Sequence, residues 1–349
     1  MNWSRKALST LAILTTLGLV AAACGSDGGD ESTAAATTAA PATTAAPATT
    51  AAPATTAAPA TTAAPADEPA AEEPAEEPAE EAVPADHLGD GSLGTVRVEP
   101  GEDIQIRSLN AISGDVAFLG LPNQRSIYST LNAMGSSSGK VKGFQVSMGT
   151  GLDDLCSADG GAAAAQMIVA DEDVVGVIGT SCSGAAAAAA PLISEAGMVM
   201  ISPSNTSPSL TSDLAGTAGE NYYPGYYRTA HNDLFQGAAA AGFALDVLGV
   251  TTAAAIHDGD PYTQGLARAF ANAFEAGGGT VTGFTAVNKG DTDMVPVLTE
   301  IAAGSPELLF FPIFQPEGDF IVQQVGDVAG MDDVTMMGAD GLMVSNFME

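Results

Sequence analysis

The stretch from Val174 to Ser212 constrains the chain most. It opens with an apolar, largely β-branched run, Val174-Val175-Gly176-Val177-Ile178, of the kind that forms a strand buried on both faces of a parallel sheet. Gly179 to Ser181 supply a turn. An alanine-rich helix is predicted from Ser183 to about Glu195, since alanine is the best helix former, and Gly197 ends it. Val199-Met200-Ile201 is then a second buried strand, and the polar loop Ser202 to Pro208 follows it. In open α/β sheets, ligands bind at the edge where loops leave the strand ends. Ser183 falls at a helix start, where a hydroxyl and unpaired backbone N–H groups favour an anion. Ser204 and Thr206 lie in the neighbouring loop. A small anionic group held between the two loops is the first functional expectation.

Little of the N-terminal third fits such a fold. Arg5 and Lys6 precede an apolar run, Ala7 to Val20, which is short for a membrane span. Small residues then lead to Cys24. Residues 1–24 therefore read as an export signal. Leu19-Val20-Ala21-Ala22-Ala23-Cys24 resembles the lipobox of bacterial lipoproteins, which implies a lipid on Cys24 and a membrane partner reached through that anchor alone. An ordinary signal peptide with a free thiol is the other reading. Residues 25–93 read as a linker. A six-residue Thr/Ala/Pro unit repeats through Ala66, and a Glu-Glu-Pro-Ala tract follows it. Regular proline defeats a helix and favours an extended, disordered spacer. Roughly 60 such residues at about 3.1 Å each reach at most on the order of 190 Å.

From about Gly94 the texture becomes strand–helix alternation. Strands are expected at Ile104–Leu109, Phe144–Met148, Thr252–Ile256, Val281–Ala286, Leu308–Phe311 and Thr335–Met337, besides the two above. Helices are expected at Leu121–Met134, Asp159–Ala170, Leu234–Val247, Tyr262–Ala276, Met294–Ala303 and Glu317–Ala329. So many alternating units point to an α/β architecture of two doubly wound lobes with parallel sheets and a hinge, divided into residues 94–226 and 227–349. The net charge of −32 leaves no basic stripe to neutralise phosphates, which argues against nucleic acid as a partner.

Enzymatic readings find little support. Gly179-Thr180-Ser181-Cys182-Ser183 sits at a strand-to-helix turn like a hydrolase nucleophile elbow, but that motif needs glycine where Ser183 stands. His87, His231 and His257 are the available bases. No metal-ligand spacing, phosphate loop or dinucleotide fingerprint occurs, so neither metal nor cofactor is expected. A serine hydrolase is the weakest of the functional readings.

An ordered series of short segments carries a family resemblance. It includes Ile112-Ser113-Gly114, Asp153-Asp154-Leu155-Cys156, Cys182-Ser183, Ile201-Ser202-Pro203, Arg228-Thr229, Gln236-Gly237, Tyr262, Asp291-Thr292-Asp293 and Gly338-Ala339-Asp340-Gly341. From Ile104 to Leu342 the chain resembles the leucine/isoleucine/valine-binding type of periplasmic binding protein, the receptor subunit of amino-acid ABC importers. The resemblance implies that two lobes close on an amino acid and present it to permease subunits. By position, Ser183 and Thr206 would hold the α-carboxylate. The Ser204 carbonyl and the Asp340 carboxylate would take the α-ammonium. Tyr262 and Phe314 would approach from the second lobe, and Leu119 would face the ligand's side chain. It further implies a Cys156–Cys182 disulfide. Leucine-type receptors carry Glu where Asp340 stands, and commonly aromatics with polar or larger tips where Leu119 and Phe314 stand, which leaves side-chain preference open. Family chains continue beyond the position of Glu349, so a C-terminal truncation exposing apolar surface on the first lobe is also expected. A sensor of the same architecture, for an amide or urea-like solute, is the alternative.

Overall fold

A computed structural model describes residues 94–136 and 140–347. The expected signal segment 1–24 with Cys24, and the linker 25–93, lie outside the described residues.

The first sheet is built from β1 (Ile104–Asn110), β2 (Val146–Ser147), β3 (Leu152–Asp153), β4 (Val174–Gly179), β5 (Val199–Ser202) and β6 (Tyr226–Arg228). Its order is β2-β1-β4-β5-β6, with β3 also on β1, and every strand pair is parallel. Between the strands run α1 (Ala117–Ser136), α2 (Ala158–Val169) and α3 (Ser183–Glu195). α2 starts on the Ser157 hydroxyl, which accepts the Gly160 N–H. Alanines of α2 and α3, among them Ala164, Ala165, Ala186 and Ala189, are buried with Val174, Val177 and Met200 of the sheet. Small side chains let these helices lie close to each other and to the strands.

The other sheet face is barer. Ile178, Ile201 and Tyr227 share one cross-strand row. Ile201 is 40% and Tyr227 58% exposed, although the two faces of a parallel sheet are normally both covered.

The second sheet has the order β10-β9-β7-β8, again all parallel, from β7 (Thr252–His257), β8 (Thr280–Ala286), β9 (Leu308–Phe310) and β10 (Thr335–Met337). Its helices are α4 (Asp233–Gly242), α5 (Pro261–Ala276), α6 (Val295–Ala303) and α7 (Glu317–Gln324). Two apolar clusters flank this sheet. One gathers Phe270, Phe274 and Phe310, and the other gathers Leu298, Ile301, Leu309 and Phe311. The architecture is thus α/β with parallel sheets. All three residues of β6 pair with β5, so the chain crosses to the second sheet within 229–232, just beyond the division expected at 226.

Candidate functional site

Each half contributes loops from the C-terminal ends of its strands, where α/β sheets present their ligand sites. In the first half, β4 ends on Gly179 at φ +148°, with an added Cβ falling 1.7 Å from the Leu109 carbonyl oxygen. Only glycine fits there, and the turn it permits delivers Ser183 as the first residue of α3. Cys182, not Ser183, is the cap residue. The Ser183 hydroxyl instead accepts the Ser207 N–H at 3.3 Å, which ties the two loops together. The loop after β5 is held from several directions. The Ser202 hydroxyl donates to the Thr180 carbonyl at 2.8 Å, and the Tyr226 hydroxyl donates to Asn205 Oδ1 at 3.0 Å. Arg228 donates to the Ser207 carbonyl at 2.7 Å. Ser204 donates its hydroxyl hydrogen to the Ser181 carbonyl at 3.0 Å.

In the second half, Asp260 caps α5 through the Tyr262 N–H at 2.9 Å, which fixes Tyr262 at the helix start. The Tyr262 ring stacks on Phe314, with centroids 5.1 Å apart. Its hydroxyl donates to Asp340 Oδ1 at 3.2 Å, and Gln236 Nε2 donates to the same oxygen at 2.8 Å. Burial, with the charges of Asp340 and Asp233, drives the Tyr262 pKa well above its ordinary value, so the phenol stays a proton donor. Phe314 also packs against the buried first-half cluster of Ala111, Cys156, Cys182 and Ala185, as Leu119 does.

One cavity of about 30 Å³ is lined by Leu119, Ser183, Ser204, Thr206, Tyr262, Phe314 and Asp340, together with Ser181, Cys182 and Gly341. All seven residues singled out by the family resemblance therefore meet around it. The disulfide joins Cys156 to Cys182 with Cα atoms 5.1 Å apart. Ser181 is buried, accepts the Ala111 N–H and donates to Asn110 Oδ1 at 3.1 Å. The Ser181 hydroxyl is thus engaged by backbone and amide groups of the first half.

The sequence profile described as "Periplasmic binding protein" matches residues 103–343. The chain belongs to the periplasmic binding protein family. Among curated relatives of this binding-protein chain, the Leu/Ile/Val-binding protein homolog 3 of Brucella melitensis is 30% identical over 69% of this chain and 62% of the relative. The leucine-specific-binding protein of Salmonella typhimurium is 28% identical over 64% of this chain and 58% of the relative. The chain thus spans less than two thirds of the length of these relatives. Among solved structures, the leucine binding protein LivK of Thermotoga maritima shares the fold with a TM-score of 0.59, at 24% identity, over 70% of this chain and 65% of the other.

One acid of this binding protein went unnoticed in the sequence. Asp233 opens α4 and is 0% exposed, and among the described residues its carboxylate oxygens make no hydrogen bond of good geometry, although the Thr206 side chain approaches them. His231 Nε2 stands 3.8 Å from Oδ1. Burial raises the Asp233 pKa to about 7; Thr206, His231 and Arg228 oppose the rise and Asp340 adds to it. An acid at a helix start ordinarily reads as a partner of the helix dipole. Asp154, also buried, is raised to about 6 by burial, although its oxygens accept the Cys156 N–H at 2.8 Å and the Ser181 N–H at 2.7 Å. Its role is to shape the turn that carries the disulfide.

Proposed function

We propose that this chain is the solute-binding component of an ABC importer and takes a branched-chain or related amino acid between two lobes, one built on each sheet and joined through residues 229–232. The observation that carries the reading is the cavity whose walls come from both halves, hydroxyls on one and an acid on the other. Ser183, at the start of α3, and Thr206 suit an α-carboxylate. The Ser204 carbonyl and Asp340 suit an α-ammonium, since a cation taken out of water needs an opposite charge. Leu119 and Phe314 offer apolar surface to a side chain. Both curated relatives above carry names that specify leucine or the leucine/isoleucine/valine set, which supports that ligand class. The cavity has room for about two water molecules, far below the volume of an amino-acid site. Entry of the ligand therefore requires the halves to part about the 229–232 segment, and binding closes them. Cys24 is proposed to bear a lipid that keeps the receptor at the outer face of the cell membrane, beside its permease.

Isothermal calorimetry on the full chain tests this with leucine, isoleucine and valine, and with urea and simple amides as controls. The branched-chain amino acids are expected to bind. Asp340→Ala is expected to weaken them by at least about 30-fold, because removing one partner of a desolvated charge pair costs about 2 kcal/mol or more. Binding of amides alone, indifferent to Asp340→Ala, would sink the reading.

A further inference from the structure

A second set of contacts spans the cleft beside the cavity, through residues that do not line it apart from Tyr262. Asp260 belongs to the second half, and its carboxylate is shared. Oδ1 accepts the Tyr262 N–H, and Oδ2 accepts from Lys289 Nζ at 2.9 Å. The same ammonium donates to the Cys156 carbonyl of the first half at 3.4 Å. Opposite the carboxylate stands Gly184, the second residue of α3. A Cβ built there lies 2.3 Å from Asp260 Oδ2, so the acid occupies the space that any other residue would fill. The start of α3 has no side-chain cap and no acid of its own in the first turn. Asp260 therefore places its charge against two helix N-termini, one from each half. Lys289 balances that charge. Burial works against the ammonium, but Asp260, Asp258 and Glu317 outweigh it and keep its pKa raised.

We propose that Asp260, Lys289 and Gly184 form a latch that holds the two halves shut and sets the receptor's apparent affinity without contacting the solute. These are positioning residues. Their contacts with the first half exist only when the halves meet, and apparent affinity scales with the fraction of molecules in the closed state. The inference rests on the binding role proposed above, yet part of its test needs no ligand.

Three variants of the full chain separate the latch from ordinary packing. Gly184→Ala is expected to weaken leucine binding at least tenfold, because its methyl group meets the carboxylate before closure is complete. Asp260→Ser retains a helix cap but withdraws the reaching oxygen, and is expected to weaken binding severalfold. In the double variant the methyl group meets no carboxylate, so affinity should equal that of Asp260→Ser alone. Additive losses, or wild-type affinity in Gly184→Ala, overturn the latch. Lys289→Met supplies the ligand-free reading by hydrogen–deuterium exchange. The amides of Ser183, Gly184 and Ala185, at the open end of α3, should exchange faster than in the wild type. Unchanged exchange also overturns it. A wild type that binds no amino acid refutes the proposed function and leaves the exchange comparison to decide the latch.

Discussion

Asp233→Asn isolates the energetic consequence of enclosing a carboxylate that its neighbours only weakly satisfy. Asparagine keeps the shape and removes the ionisation. In the folded chain Asp233 titrates at about 7 against an ordinary 3.8. The folded state thus retains a proton that the unfolded chain releases, and linkage fixes the sign. Stability contributed by this group is full below about pH 4, declines as pH rises, and is lost above about pH 7. At about 1.4 kcal/mol for each pH unit, the whole decline is about 4 kcal/mol. Urea unfolding of the full chain, wild type and Asp233→Asn, at intervals from pH 4 to pH 8 measures it. The variant should gain on the wild type steadily across that window and level off above it. The buried amide N–H groups of asparagine impose a fixed penalty that displaces the difference curve without changing its slope. A difference that stays flat from pH 4 to pH 8 refutes the reasoning, because the acid would then be solvated or paired in the folded state.

Other outcomes follow from the same geometry. Replacing both Cys156 and Cys182 by serine opens a closure of 26 positions and should lower unfolding free energy by about 3 kcal/mol, read as a lower urea midpoint. Gly179→Ala forces a methyl group into the Leu109 carbonyl and should leave little soluble folded protein, measured by expression and circular dichroism. Cys24→Ala should move the exported chain from the membrane fraction to the soluble one, followed by fractionation and immunoblotting.

Much of the architecture was legible because its signals are local. The α3 bounds Ser183–Glu195 and the strand Thr335–Met337 coincide with those read from residue pattern alone. Apolar runs followed by glycine and an alanine-rich segment leave few alternatives. Short pieces were harder. β3 and β6 have two and three residues, too few to display a period, and Tyr226–Arg228 looked like a boundary rather than an edge strand. The first helix starts at Ala117 rather than Leu121, since no cap residue marks its beginning. The last long helix stops at Gln324 instead of Ala329, giving way to a tighter turn at Val325–Asp327. Of the seven cavity residues, Ser183, Ser204 and Thr206 were already marked by the strand–loop–helix pattern, whereas Leu119, Tyr262, Phe314 and Asp340 came from the family resemblance alone. Their convergence depends on how two sheets face each other, which no window of sequence encodes. Asp233 escaped notice for the same reason: its enclosure is a tertiary fact.

The passage at 229–232 is the only covalent link between the two sheets among the described residues, and each sheet has its own apolar cluster. A chain severed there becomes two complementary fragments whose shared surface includes the cavity. A molecule able to bridge serine hydroxyls on one fragment and a carboxylate on the other would then govern their reassembly. The fold thereby lends itself to a split reporter whose signal tracks metabolite concentration.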